Sequence, residues 1–105
     1  MIQSVSFKTA KQLLESEPNI AFLDVREEEE YISGHAAGAE LFPVGAIDEA
    51  SAAERISGFD TPVLVYCRTG RRSLRAAHLL TKLGYTRIYD LGSLAGWPYG
   101  ITYGE

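Results

Sequence analysis

The chain has a single cysteine and two histidines among its 105 residues. One thiol cannot close an internal disulfide and cannot build a multi-thiolate metal site. His35 and His78 stand far apart in sequence, so they add no metal cluster to Cys67. Long apolar runs are also missing, and the longest uninterrupted stretches are far too short to cross a bilayer. Met1-Ile2-Gln3-Ser4-Val5 carries no basic region ahead of an apolar segment, which predicts no signal peptide. Basic side chains are in the minority, 10 against 14 acidic ones, for a net charge of −4. That balance argues against coating nucleic acid or a membrane, while leaving room for a local basic patch that binds a small anion. No repeat, linker or low-complexity segment interrupts the chain. These absences predict a protein of a reducing, cytoplasmic compartment, with monomer as its default state.

What is present is ordinary globular material, with 46% apolar and 23% charged residues. The length predicts one domain over residues 1–105 and excludes a large cofactor held between two domains. Two segments have the continuous aliphatic character of central parallel strands. They are Ile20-Ala21-Phe22-Leu23, ending at Asp24-Val25, and Pro62-Val63-Leu64-Val65-Tyr66, ending at Cys67. Shorter strands are predicted at Val5-Ser6-Phe7, near Ala37 to Phe42, and at Arg87-Ile88-Tyr89.

Helical patterns fall between these strands. Ala10, Leu13 and Leu14 stand at helical spacing behind a Thr9/Gln12 capping box. Ala46 to Ser57 is Ala-rich, with Ser51 and Glu54 in box spacing. Ala76, Leu79, Leu80 and Leu83 form an apolar stripe that Gly84 ends, with Arg75, His78 and Lys82 on the opposite face. The acidic run Glu27 to Glu30 suits the solvated first turn of a short helix. Strands alternating with helices predict an α/β fold with both sheet faces covered.

Cys67 directly follows the strongest strand. Arg68-Thr69-Gly70-Arg71-Arg72 comes next, then Ser73, placed as the helix N-cap. Ligands of parallel sheets gather beyond the carboxyl ends of strands, and a turn entering a helix points free amides at an anion. Four of the ten basic residues, Arg68, Arg71, Arg72 and Arg75, cluster here in an acidic chain. Gly70 is expected at positive φ. A thiol in such a place is expected to lose its proton readily and to act as a nucleophile held exposed in the loop. The bland alternative is a packed strand-end cysteine.

In these residues the chain resembles the rhodanese family in its small form. Asp24-Val25-Arg26-Glu27, Tyr31, Gly34-His35 and Gly38-Ala39 are similar to the family's first signature. Val63 through Ser73 is similar to its active-site strand, loop and helix start. Ala76-Ala77, Leu80, Gly84-Tyr85, Ile88 and Trp97 extend the match over about residues 5 to 98. The resemblance implies a small five-stranded parallel sheet flanked by helices on both faces. It also implies sulfur transfer through a Cys67 persulfide, with the amides from Arg68 to Ser73 cradling the sulfur or the incoming anion. The donor would be thiosulfate or a protein persulfide. The acceptor would be cyanide, a thiol or a sulfur-carrier protein, and no metal or organic cofactor would be needed. Arg71 or Arg72 would recognise the anionic donor.

The chain departs from the family wording at Ala36-Ala37, at Glu40-Leu41-Phe42-Pro43, and at Leu91-Gly92-Ser93-Leu94-Ala95-Gly96-Trp97, where one of two adjacent glycines is kept. Asp24 and Arg26 follow the other long strand and are expected at the same rim. There they either support the loop, Asp24 through the loop amides or a loop arginine and Arg26 paired to an acid, or simply cap their own turn. His35 and Trp97 are expected to support the site, His35 as a hydrogen-bonding structural residue or a general acid or base, Trp97 as partly buried packing or a site-lining group, while Gly100 to Glu105 is expected to be peripheral. Two rival functions stand beside sulfur transfer. A Cys-x5-Arg phosphatase or arsenate reductase needs a guanidinium where this chain has Ser73. A non-catalytic rhodanese-like binding module needs no turnover at all.

Overall fold

The computed structural model describes residues 2–105. Strands β1 (Ile2–Ser4), β2 (Ala21–Asp24), β4 (Glu40–Leu41), β5 (Val63–Cys67) and β6 (Ile88–Ser93) form one sheet in the order β1-β6-β5-β2-β4. Every neighbouring pair in it is parallel, with β5 at the centre. This is the five-stranded parallel sheet implied by the family resemblance.

Alternation along β5 divides the core in two. Val63, Val65 and Cys67 turn to one face, where they pack with Ala52 and Ile56 from helix α3 (Glu49–Arg55) and its C-cap and with Ala76, Ala77 and Leu80 of helix α4 (Arg71–Leu83). Leu64 and Tyr66 turn to the other, against Ala10 and Leu14 of helix α1 (Phe7–Ser16), Leu91 and Trp97. Both sheet faces are therefore covered. All five side chains of β5 are buried, which is why that strand shows no apolar/polar alternation.

Three local expectations are corrected. The first strand ends at Ser4, and Phe7 opens α1. Ser6 causes this, because its hydroxyl accepts the Thr9 amide at 3.1 Å and so supplies the cap, in place of a Thr9/Gln12 box. The Ala-rich stretch begins as a short 3-10 turn at Val44–Ala46, and α3 starts only after Asp48, whose carboxylate accepts the Ser51 amide at 2.8 Å. The C-terminal tail is not merely peripheral. Strand β7 (Ile101–Thr102) pairs antiparallel with β3 (His35–Ala36), and the Gly104 amide donates to the Ile32 carbonyl at 2.8 Å. The acidic run forms helix α2 (Glu28–Ser33) as expected, with the Glu27 amide donating to Glu30 Oε1.

Replacing Ser6 with alanine removes the acceptor for one free helical amide, so Ser6→Ala is expected to lower the unfolding free energy by about 1 kcal/mol. A urea titration with an unchanged slope checks it. No change in midpoint would mean that packing of Phe7 and Ala10, and not the cap, sets the start of α1.

Candidate active site

Cys67 is the last residue of β5, and its side chain turns toward α4. Gly70 adopts φ 95°, the left-handed conformation that favours glycine, and starts the helix one residue later. Backbone conformation and not space calls for glycine here, since a Cβ at Gly70 would meet only the Gly92 Cα, at an ordinary contact distance of 3.8 Å. The Cys67 Sγ accepts the Gly70 amide at 3.0 Å and the Ser73 amide at 3.3 Å.

Ser73 is therefore not the N-cap. It is the third helical residue, and its hydroxyl donates to the Gly70 carbonyl at 3.1 Å. The amide that a capping oxygen would take goes to sulfur instead. The positive end of α4 and two amides converge on one atom.

The sulfur is not exposed as expected. Cys67 has no accessible surface and lies in the core cluster shared with Val65, Ala76 and Ala77. Arg68 and Thr69 are exposed on the outer side of the Cys67 loop, as is Arg71 at the start of α4. Strand β6 braces the other edge. A bulge at Leu91 shifts its register, so Cys67 pairs with Ser93. The Ser93 hydroxyl donates to the Arg68 carbonyl at 2.6 Å, and the Leu94 amide donates to the Cys67 carbonyl at 3.0 Å.

The arginines are not equivalent. Arg72 forms a forked pair with Glu30 of α2, at 2.6 and 2.9 Å, while Arg68 and Arg71 have no carboxylate partner among the described residues. Glu30 is thus more than a solvated helix residue. Its guanidinium partner holds its carboxyl down at about 2, below the ordinary 4.5. Sequence offers no sign of this contact, because 42 residues separate the two and the capping spacing of Glu27 and Glu30 already explains the acid locally.

Asp24 and Arg26 do not support the Cys67 loop. In register Asp24 pairs with Tyr66, and both turn to the face opposite Cys67. Arg26 grips Asp24 with Nε and one terminal nitrogen, and that same nitrogen donates to the Gly34 carbonyl at 2.7 Å. The amide that Asp24 accepts is that of Arg26 itself. The Tyr66 hydroxyl donates to Asp24 Oδ2 at 2.6 Å and accepts the Ala36 amide at 3.1 Å. Burial, and then the neighbouring Asp24 charge, push the Tyr66 phenol far above its ordinary range, so it stays a neutral donor. This buried cluster joins the end of β2 to β3, behind the site.

His35 also lies outside the loop. Its Nδ1 is 2.8 Å from the Tyr31 carbonyl, and its ring stacks on Tyr31 at 3.6 Å. Trp97 is buried against Phe7, Phe22 and Tyr99 on the α1 face, and its indole nitrogen has no partner among the described residues. It anchors the loop that follows β6 without facing the sulfur.

Because pairing with Arg72 depresses the Glu30 carboxyl, the pair contributes stability that is fully present above pH 4.5 and is lost as pH falls through about 2. Glu30→Gln is therefore expected to be less stable than the parent at pH 7, with most of that deficit gone at pH 2. Denaturation series at the two pH values check this. An equal deficit at both would show that the carboxylate charge is not what ties α2 to α4.

Comparison with known proteins agrees with this fold. The family model for the rhodanese-like domain matches residues 6–98. A putative mitochondrial thiosulfate sulfurtransferase of Schizosaccharomyces pombe is 43% identical over 86 residues, covering 71% of this chain and 61% of its own. The thiosulfate sulfurtransferase PspE of Escherichia coli is 37% identical over 73 residues, covering 70% of this chain and 69% of its own. Among solved structures, one described as a rhodanese with anions from E. coli superposes with a TM-score of 0.75 at 29% identity, over 81% of this chain and 99% of that one. The chain spans between about half and three-fifths of the first curated relatives it matches. With its parallel sheet, its sulfur at the start of α4 and a matching family model across most of its length, the chain belongs to the rhodanese-like domain family.

Proposed function

We propose that this protein is a sulfurtransferase that carries sulfane sulfur on Cys67. The observation that carries this reading is the pair of amides, from Gly70 and Ser73, donated to one sulfur at the start of a helix. The thiolate attacks the outer sulfur of thiosulfate. A sulfur–sulfur bond forms to Cys67, the bond within thiosulfate breaks, and sulfite leaves with the electron pair. The amides already aimed at Sγ stabilise the thiolate that starts and ends the cycle, as in an oxyanion hole, and in the persulfide the charge moves to the outer sulfur. A thiol or cyanide then attacks the outer sulfur and restores the Cys67 thiolate, giving a double displacement.

Donor recognition falls to Arg71. Arg72 is neutralised by Glu30, whereas the Arg71 guanidinium is exposed beside the loop and free to meet an oxyanion. Arg68 shares that freedom from the other side of the loop. The names of relatives that are thiosulfate sulfurtransferases favour thiosulfate as one donor. A phosphatase is disfavoured because Ser73, where that chemistry needs a guanidinium, turns its hydroxyl back to the Gly70 carbonyl. The complete burial of Cys67 favours one second reading, a binding module without turnover. The transferase reading requires a path for the donor to the buried Sγ.

Thiosulfate is expected to add the mass of one sulfur atom to the parent, and cyanide to remove it. Intact-mass spectrometry reads both steps, and Cys67→Ser abolishes both. Arg71→Gln is expected to raise KM for thiosulfate about tenfold, the worth of one charge-assisted hydrogen bond. If neither thiosulfate nor a polysulfide loads Cys67, the binding-module reading replaces this one.

A further inference from the structure

The cations of this chain are unevenly satisfied. Of the ten lysines and arginines, Lys11, Arg26, Arg55, Arg72 and Arg87 pair with carboxylates. Among the described residues the others, Lys8, Arg68, Arg71, Arg75 and Lys82, make no ion pair, although acids outnumber bases. Four of these five stand on the Cys67 loop and on α4. Arg71, Arg75, His78 and Lys82 repeat at helical spacing on the outer face of α4, all exposed, within about 100° of arc and over about 17 Å of helix. Leu74, an aliphatic side chain 47% exposed, sits in the same band. The stripe begins at the Cys67 loop and runs away from it.

A small anionic donor needs only the guanidinium groups at the loop. It does not use Arg75 or Lys82, which lie one and three turns further along. We propose that the outer face of α4 is a docking surface for an acidic protein that brings a thiol to the Cys67 persulfide. This inference rests on the sulfur-transfer reading of Cys67.

Charge complementarity selects the partner. The stripe offers cations around one exposed leucine, which fits an acidic protein surface with an apolar centre. A long polyanion fits less well. Along the α2 side the stripe is bordered by Arg72, already neutralised by Glu30, and then by the exposed acids Glu27, Glu28 and Glu29. A nucleic acid or an anionic bilayer spreading beyond α4 would meet that run. A compact acidic patch confined to α4 would not.

The test uses three peptides of equal length, each ending in one cysteine and flanked by glutamates, serines or lysines. Cys67 is first loaded with sulfur, and its discharge by each peptide is followed by intact mass at low salt. The glutamate peptide is expected to discharge it about tenfold faster than the lysine peptide, with the advantage lost at high salt. The double variant Arg75→Glu, Lys82→Glu should remove the preference and leave discharge by cyanide unchanged. Equal rates for the three peptides, or an unchanged preference in the double variant, would overturn the proposal.

If Cys67 does not load at all, the sulfur-transfer reading fails by itself. The surface is then tested separately by titrating a glutamate peptide with serine in place of its cysteine into nitrogen-labelled protein. Amide shifts confined to residues 71–82 support the surface, and their absence overturns it. Equal or stronger shifts there from a single-stranded oligonucleotide or from vesicles of anionic phospholipid would also overturn it.

Discussion

One sulfur atom takes the place of a helix cap, and much of the site is arranged around that substitution. Helix α4 begins with free amides that most helices give to a serine or aspartate oxygen. Here the Gly70 and Ser73 amides go to Cys67, which ends the central strand. The strand must stop at that residue, the chain must reverse within three more, and only a left-handed Gly70 allows it. The bulge in β6 and the Ser93 hydroxyl then hold the loop from the side. The atom that ends the central strand thus also completes a helix, beside a loop of exposed cations.

The second constraint is the two-residue period of the sheet. Tyr66 and Cys67 are adjacent, so they face opposite ways. Everything in register with Tyr66 belongs to the structural side: Asp24, the Arg26 that neutralises it, and the Ala36 amide. Removing one partner of such a buried pair would strand the charge of the other. Everything beside Cys67 belongs to α4. The molecule thus keeps its buried ionic cluster and the Cys67 sulfur on opposite faces of the sheet.

Charge follows the same division. Glu30 takes Arg72 and ties α2 to the first turn of α4. That pair sorts the arginines of the loop into one that is structural and others that remain available. It also separates an acidic helix from a basic one on the same side of the molecule, so a chain of net negative charge presents a positive face where its chemistry is proposed to occur.

The long strands, the parallel α/β architecture, the stop at Gly84 and the turn at Gly70 were legible in the residues, because each depends on local steric and hydrophobic patterns. The caps at Ser6 and Asp48 were misplaced by a few residues, since several nearby side chains offer competing oxygens and only the packed backbone selects one. The amino-acid sequence alone determined that a lone thiol would follow the strongest strand and enter an Arg-rich turn. Tertiary structure decided that Ser73 would give its amide and not its hydroxyl to the site, that Asp24 and Arg26 would lie behind the sheet, and that Arg72 would be spent on Glu30. Those outcomes depend on which face a side chain takes and on contacts between residues 42 apart, and neither is encoded in any local spacing.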